Sequence, residues 1–214
     1  MNNDKLSKFL NIEELRLFRK LKSPKLIQDY LDTLSINFET SGETYMSPRR
    51  VIKNKTAHCF EGALLAAAAL SYHGHKPLLL DLVTIERDED HVVALFRQNG
   101  LWGAISKTNH PILRYRDPVY KTVRELAMSY FHEYIMDDGT KSLRKFSKPF
   151  DLSRYSPTKW VTAGEDLNWL VEALDASPHS AIAPPKAIKK LRKASGIEIK
   201  AINITEWPRI VVSG

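Results

Sequence analysis

The stretch CFEGALLAAAALSYHGHKPLLLDLVTIERDEDHVVALFRQNGLWGAIS, residues 59–106, decides the fold. From Cys59 to His73 almost every side chain is apolar, and Gly74 ends the run. A helix that is apolar all round must be covered on every side, so this one is expected at the centre of the core. Then the texture changes. Pro77 to Ile85 (PLLLDLVTI) is strand-like, Glu86 to Asp90 is a charged loop, and His91 to Arg97 is again strand-like. Asn99-Gly100 signals a two-residue hairpin, which makes Leu101 to Ser106 the return strand. A buried helix followed by an antiparallel meander is an α+β arrangement.

Upstream, Asn11 with Glu14 forms a capping box for a helix to about Lys22. Ser23-Pro24 opens a second, amphipathic helix carrying Leu26, Ile27, Tyr30, Leu31 and Leu34. Asn37 to Met46 is polar loop, and Ser47-Pro48 caps a short helix ending near Lys53. Downstream, Asp117-Pro118 is expected to start a helix to about Ile135, and Leu143 to Leu152 a bent strand. Thr162 and Glu165 form another capping box, for a helix to about Ala176. The expected organisation is a core with N-terminal helices over 1–152, and a C-terminal α/β appendage on the same core over 153–214.

The chain has 214 residues, a net charge of +7 and one cysteine. That length supports a full core, and 43% apolar with 27% charged residues excludes a disordered chain. One cysteine excludes an intramolecular disulfide and a multi-cysteine zinc site. No apolar run approaches the ~20 residues of a membrane helix, and the opening MNNDKLSKFL lacks a signal-peptide layout. A soluble, cytoplasmic protein with no membrane partner is the expectation. The positive charge is dispersed. Only Lys186 to Lys200 is a basic cluster, read as a solvated helix face around Lys189, Lys190, Arg192 and Lys193. Nucleic-acid binding is therefore the third reading, and no RNA-binding aromatic motif accompanies it.

Cys59 carries the chemistry. It stands where the loop KNKTAH meets the start of the buried helix. Unpaired N–H groups and a partial positive charge at that end favour a thiolate and offer donors to an oxyanion. His91 opens the strand HVVALF after an acidic turn. An imidazole at a strand mouth can pair with such a thiolate, and a third polar group is then needed to orient it.

The pieces SPRRVIKNKTAHCFEGALLAAAAL, YHGHKPLLLDL, DHVVALF and GLWGAIS resemble, in order and spacing, the transglutaminase-like superfamily of papain-type cysteine enzymes. The resemblance covers about residues 24–106. It implies a transglutaminase-like, papain-like fold, with Cys59 as nucleophile and His91 as base. Trp102 matches the family's tryptophan, and Ser106 falls where the family places an aspartate. The implied activity is a cysteine-dependent hydrolase or acyltransferase acting on a peptide or a small amide or ester through a thioester. That chemistry needs no metal and no cofactor. Departure at Ser106 also admits a second reading, a catalytically weak or inactive binding module on the same fold.

The hairpin register brings both Ser106 and Asn109 near His91, and either could orient the imidazole. Asp81 is a further candidate if its strand neighbours that of His91. Asp90 is a poor one, because adjacent strand residues face opposite sides. Tyr45 and His58 are candidates for the cleft wall or the oxyanion site. His73 and His75 lie at the far end of the helix, ~20 Å away at ~1.5 Å per residue. Arg114 and Arg116 are candidates for an anion. Oligomeric state is not legible.

Overall fold

The computed structural model describes residues 6–40 and 42–208. Helix α1 (Ile12–Lys20) opens on the Asn11–Glu14 capping box, and α2 (Pro24–Asp32) on Ser23 with Pro24 in its first turn. A two-residue strand β1 (Ser35–Ile36) precedes α3 (Pro48–Asn54), which Ser47 caps. Lys55 then adopts a left-handed φ of 59° and turns the chain into β2 (Thr56–Ala57), paired in parallel with β1. Helix α4 (Cys59–Tyr72) follows, and all of its residues from Phe60 onward are buried.

The sheet has the order β6-β5-β4-β3-β7-β9, with β8 also pairing β3. Its strands are β3 (Leu78–Val83), β4 (His91–Gln98), β5 (Leu101–Ile105), β6 (Arg116–Tyr120), β7 (Lys145–Ser147), β8 (Phe150–Asp151) and β9 (His179–Ala181). Every pairing within it is antiparallel. The fold is α+β. Gln98 pairs with Leu101 across Asn99 and Gly100, both at positive φ as a tight hairpin turn requires. One face of the sheet (Leu79, Val92, Ala94, Phe96 and Ile105) packs in the core cluster that contains α4. The other face (Leu80, Leu82, Val93 and Leu95) is covered by α5 (Val123–Ser129) with Tyr130 and Tyr134. Burial on both faces explains why these strands read as near-continuous apolar runs rather than alternating ones.

Three elements differ from expectation. Asp117-Pro118 does not open a helix; it lies in β6, an edge strand where proline's missing N–H costs no ladder bond. Thr122 caps α5 instead, accepting from the Glu125 amide at 3.1 Å. Thr162 and Glu165 form no capping box. Ser156-Pro157 starts a short α6 (Pro157–Trp160), and α7 (Asn168–Asp175) begins only after Asp166 has been taken by the Tyr45 amide and Arg50. The basic residues Lys189, Lys190, Arg192 and Lys193 form no helix face; they lie between α8 (Pro185–Ile188) and α9 (Gly196–Ile202), with Arg192 paired to Glu198 of α9 and Lys193 to Asp138.

The segment after residue 152 is woven into the core. Trp160, Val161, Leu167, Leu170 and Leu174 share the cluster of α4, and β9 extends the sheet beside β7. Among the described residues no helix is long and apolar enough to cross a membrane.

Gly62 marks where α4 meets the end of β5. A Cβ there would lie 2.5 Å from Lys107 Cβ, an atom fixed next to the backbone. Gly62→Ala is expected to lower the urea midpoint, because overpacking of ~1–3 kcal/mol outweighs the ~1 kcal/mol of helix propensity gained. An unchanged or higher midpoint would show that the helix and the 106–107 corner can part without cost.

Candidate active site

Cys59 occupies the first helical position of α4, with His58 as N-cap. At that position the Cys59 amide has no intrahelical acceptor, so its N–H is available to a ligand oxygen. The helix start is fixed by Glu61, whose carboxylate is fully buried. It accepts from the His58 amide (3.0 Å), the Met46 amide (2.9 Å), Thr44 Oγ1 (3.0 Å) and Asn37 Nδ2 (3.1 Å). One carboxylate thus ties Asn37, Thr44 and Met46 to the helix that Cys59 opens.

His91 begins β4, opposite Leu82 of β3. Asp90 accepts from both the amide and the hydroxyl of Thr84, at 2.7 and 2.9 Å, and closes the loop in front of the site. The Cys59 thiol lies 4.0 Å from the Asp90 carbonyl.

The orientation of the His91 ring follows from a proton count. His91 Nε2 is 2.7 Å from Ser106 Oγ, and Ser106 Oγ is 2.5 Å from the Leu113 carbonyl. A carbonyl can only accept, so the single hydroxyl proton of Ser106 goes to Leu113. Ser106 must then accept from His91, which places a proton on Nε2 and leaves Nδ1 as the nitrogen that exchanges a proton. Ser106 is held in turn by Gln28 of α2. Gln28 Oε1 accepts from the Ser106 amide (3.0 Å), and its Nε2 donates to the Ser106 carbonyl (2.8 Å). Leu113 presents its carbonyl from a left-handed φ of 57°, a costly conformation for a leucine, with its amide held by Glu133 at 2.7 Å.

Asn109 does not reach His91. Its side-chain amide is paired with Trp207, accepting from the Trp207 N–H (2.8 Å) and donating to the Trp207 carbonyl (2.9 Å). Alternation along the strands accounts for Ser106. Ala94 faces Ile105, so one step further sets Ser106 opposite Val93, on the face that also carries His91. Asn109 lies beyond the end of β5, in a bend where its side chain is taken up by Trp207.

Asp81 binds His179 at 3.0 Å rather than His91, and burial pushes its carboxyl up to about 6 although His179 opposes the shift. The Tyr45 hydroxyl donates to Glu43 at 3.4 Å, and its ring meets His58 and Phe60 edge-on; it packs the wall and offers no donor to the thiol. Trp102 pairs with Tyr120 and lies under Arg97 at the hairpin end of β5, away from Cys59. Arg114 and Arg116 are engaged by Glu206 and Glu133.

Two histidines act on the Cys59 thiol. Burial alone would raise the Cys59 thiol, but hydrogen bonds and charge from His58 and His91 outweigh it and hold the thiol well below its usual value. Burial would likewise lower His58, yet Cys59, Glu61 and the Thr44 carbonyl raise it to about 9. His58 Nε2 donates to that carbonyl at 2.8 Å. His58 is thus a second imidazole that favours the ionised thiol, beyond the wall role read from the sequence. Glu61 was legible as the third helical residue, the capping-box position. Gln28 was legible only as a polar residue inside an apolar helix face.

Among the described residues no three His, Cys, Asp or Glu side chains converge to hold a metal ion. Cys59 and His91 open into a cleft of about 1190 Å³ that also exposes Tyr45, His58, Asn109 and Trp207. No protein-family model matches the chain, and no curated protein matches it either.

Proposed function

We propose that this protein is a cysteine-dependent hydrolase or acyltransferase acting on an amide or ester through a thioester at Cys59. The observation that carries the reading is the His91–Ser106–Leu113 hydrogen-bond chain at the cleft that Cys59 and His91 both line. The transglutaminase-like, papain-type resemblance of residues 24–106 agrees with it in the placing of Cys59 and His91.

In the proposed reaction the thiolate attacks the carbonyl carbon, and the developing oxyanion turns toward the Cys59 N–H. Collapse breaks the bond to the leaving group, which takes a proton from His91 Nδ1 and departs as an amine or alcohol. Water or an amine then gives a proton back to Nδ1 as it attacks the thioester, releasing the acyl group and the thiol's sulfur. Ser106 holds the ring at Nε2 throughout. As a neutral acceptor it steadies imidazolium through one hydrogen bond rather than a full charge.

Incubation with p-nitrophenyl acetate tests this. A burst of nitrophenolate of one equivalent is expected, with an acetyl group found on Cys59 by mass spectrometry. Cys59→Ser should abolish the adduct. Ser106→Ala should slow turnover by about 10- to 100-fold, the value of a hydrogen bond to a charged group at ~1.5–3 kcal/mol. If Cys59 remains unacylated by this and by longer acyl esters, the neutral Ser106 would mark a binding module instead.

A further inference from the structure

We propose that the substrate entering the Cys59 cleft is a polypeptide segment carrying lysine or arginine. The inference rests on Cys59 and His91 being the reacting pair; the surrounding groups decide which chemistry that pair is offered.

The chain carries net +7, yet its cleft has the opposite sign. Four lining carboxylates, Glu39, Asp88, Asp90 and Glu133, are held by hydrogen bonds within the protein. Among the described residues Glu43 accepts a hydrogen bond from the Tyr45 hydroxyl alone, and Glu86 and Glu89 are exposed with no side-chain partner. Against these seven the lining, among the described residues, offers one lysine, no arginine and the His58 imidazole, which Cys59 and Glu61 already engage. That lysine, Lys107, is 2% exposed, and its ammonium donates to the Leu34 carbonyl. Arg87, in the same loop as Glu86 and Glu89, reaches toward Asp138 instead and does not line the cleft.

Two observations point to a polypeptide rather than an ion or a small amine. The carboxylates do not converge on a point, as a metal ion would need. They are spread along a cleft larger than the ~300–1,000 Å³ typical of small-ligand pockets. The cleft also already holds main chain. Asn109 takes both the N–H and the carbonyl of Trp207 with its side-chain amide, and its own carbonyl accepts from the Glu206 amide at 2.9 Å. A cleft that grips one stretch of backbone in this way, and is fringed by free carboxylates, suits a basic segment of another chain.

The test uses the full chain and its one thiol. Rates of Cys59 modification would be measured with neutral iodoacetamide and with cationic (trimethylammonium-ethyl) and anionic (sulfonato-ethyl) methanethiosulfonates. Each is normalised to the same reagent acting on the urea-unfolded chain. The normalised cation-to-anion ratio is expected to reach at least about 10 at low ionic strength and to fall toward about 2 in 0.5 M NaCl, where the Debye length is a few Å. Glu86→Gln/Glu89→Gln should cut the low-salt ratio at least about threefold and leave the iodoacetamide rate unchanged, both residues being exposed and outside the reacting groups. A Lys/Arg-bearing heptapeptide should slow iodoacetamide modification, and a Glu-rich one should not. A ratio near or below 1 would overturn the charge preference. Protection by spermine equal to that by the peptide would overturn the polypeptide assignment. Ordinary thiol kinetics with iodoacetamide, beside an intact charge ratio, would instead strike at the thiolate reading.

Discussion

Removing both imidazoles, in His58→Ala/His91→Ala, will turn Cys59 into an ordinary thiol. In the wild type the thiolate is present once pH exceeds the depressed thiol value, and its counter-cation persists until His58 deprotonates at about 9. Iodoacetamide reactivity should therefore be nearly level through neutral pH and change again near pH 9. Without the histidines, burial, which raises the thiol, is opposed only by the helix N-terminus. At an unperturbed value of ~8.5 only ~0.3% of the protein would be thiolate at pH 6. A more basic thiolate is intrinsically more nucleophilic, which recovers about a decade. The net loss at pH 6 should be about 10-fold or more. His58→Ala alone should move the acid limb upward and erase the change near pH 9. Wild-type reactivity that climbs as a single curve centred near 8.5 would leave Cys59 without an ion pair.

Glu61→Ala is expected to be the most destabilising single change at the site, by about 3–5 kcal/mol, against ~5–15 kcal/mol for a whole domain. The substitution leaves the Met46 and His58 amides, Thr44 Oγ1 and Asn37 Nδ2 without their shared acceptor. The 37–46 loop should then come away from the helix start, and the ring of Tyr45 with it. Glu61→Gln keeps the volume but turns one acceptor into a donor facing donors, so its loss should be intermediate. Urea unfolding of the three proteins checks this. A loss below about 1 kcal/mol for the alanine variant would show that water replaces the carboxylate freely.

What the sequence disclosed and what it withheld divide along chain separation. The α4 helix, the Asn99-Gly100 hairpin and the placing of Cys59 at a helix start depend on neighbours within a few residues, and the structure has them within a residue or two of expectation. Pro118 misled for a reason that is not local: a proline reads as a helix opener until β6 is known to be an edge. The aspartate at position 166 is claimed by Tyr45 and Arg50, more than a hundred residues earlier, and that removes the helix start expected at Thr162. Strand pairing left Ser106 and Asn109 both open, because the chain leaves β5 at Ile105 and Asn109 is placed by its bonds to Trp207. Gln28 was not legible as a partner of Ser106, because 78 residues separate the two. Leu113 was not either, since only a backbone at positive φ presents its carbonyl to Ser106.

The weaving of the last quarter of the chain into the core has a consequence for biosynthesis. Helix α4 is covered by Leu31 and Val51 from before it and by Trp160, Leu170 and Leu174 from about a hundred residues after it. Ser47 Oγ donates to the Ala163 carbonyl, and the Arg49 amide to that of Val161. A nascent chain that has emerged only to residue 152 thus exposes the apolar face of α4 and an unpaired edge of β7. Contacts of such long sequence separation form late, so the helix that carries the thiol is covered only after residues 160–174 have emerged. Chain stalled on the ribosome before Trp160 should be a strong client for a chaperone that binds exposed aliphatic helix, and should lose that affinity once α7 has cleared the exit.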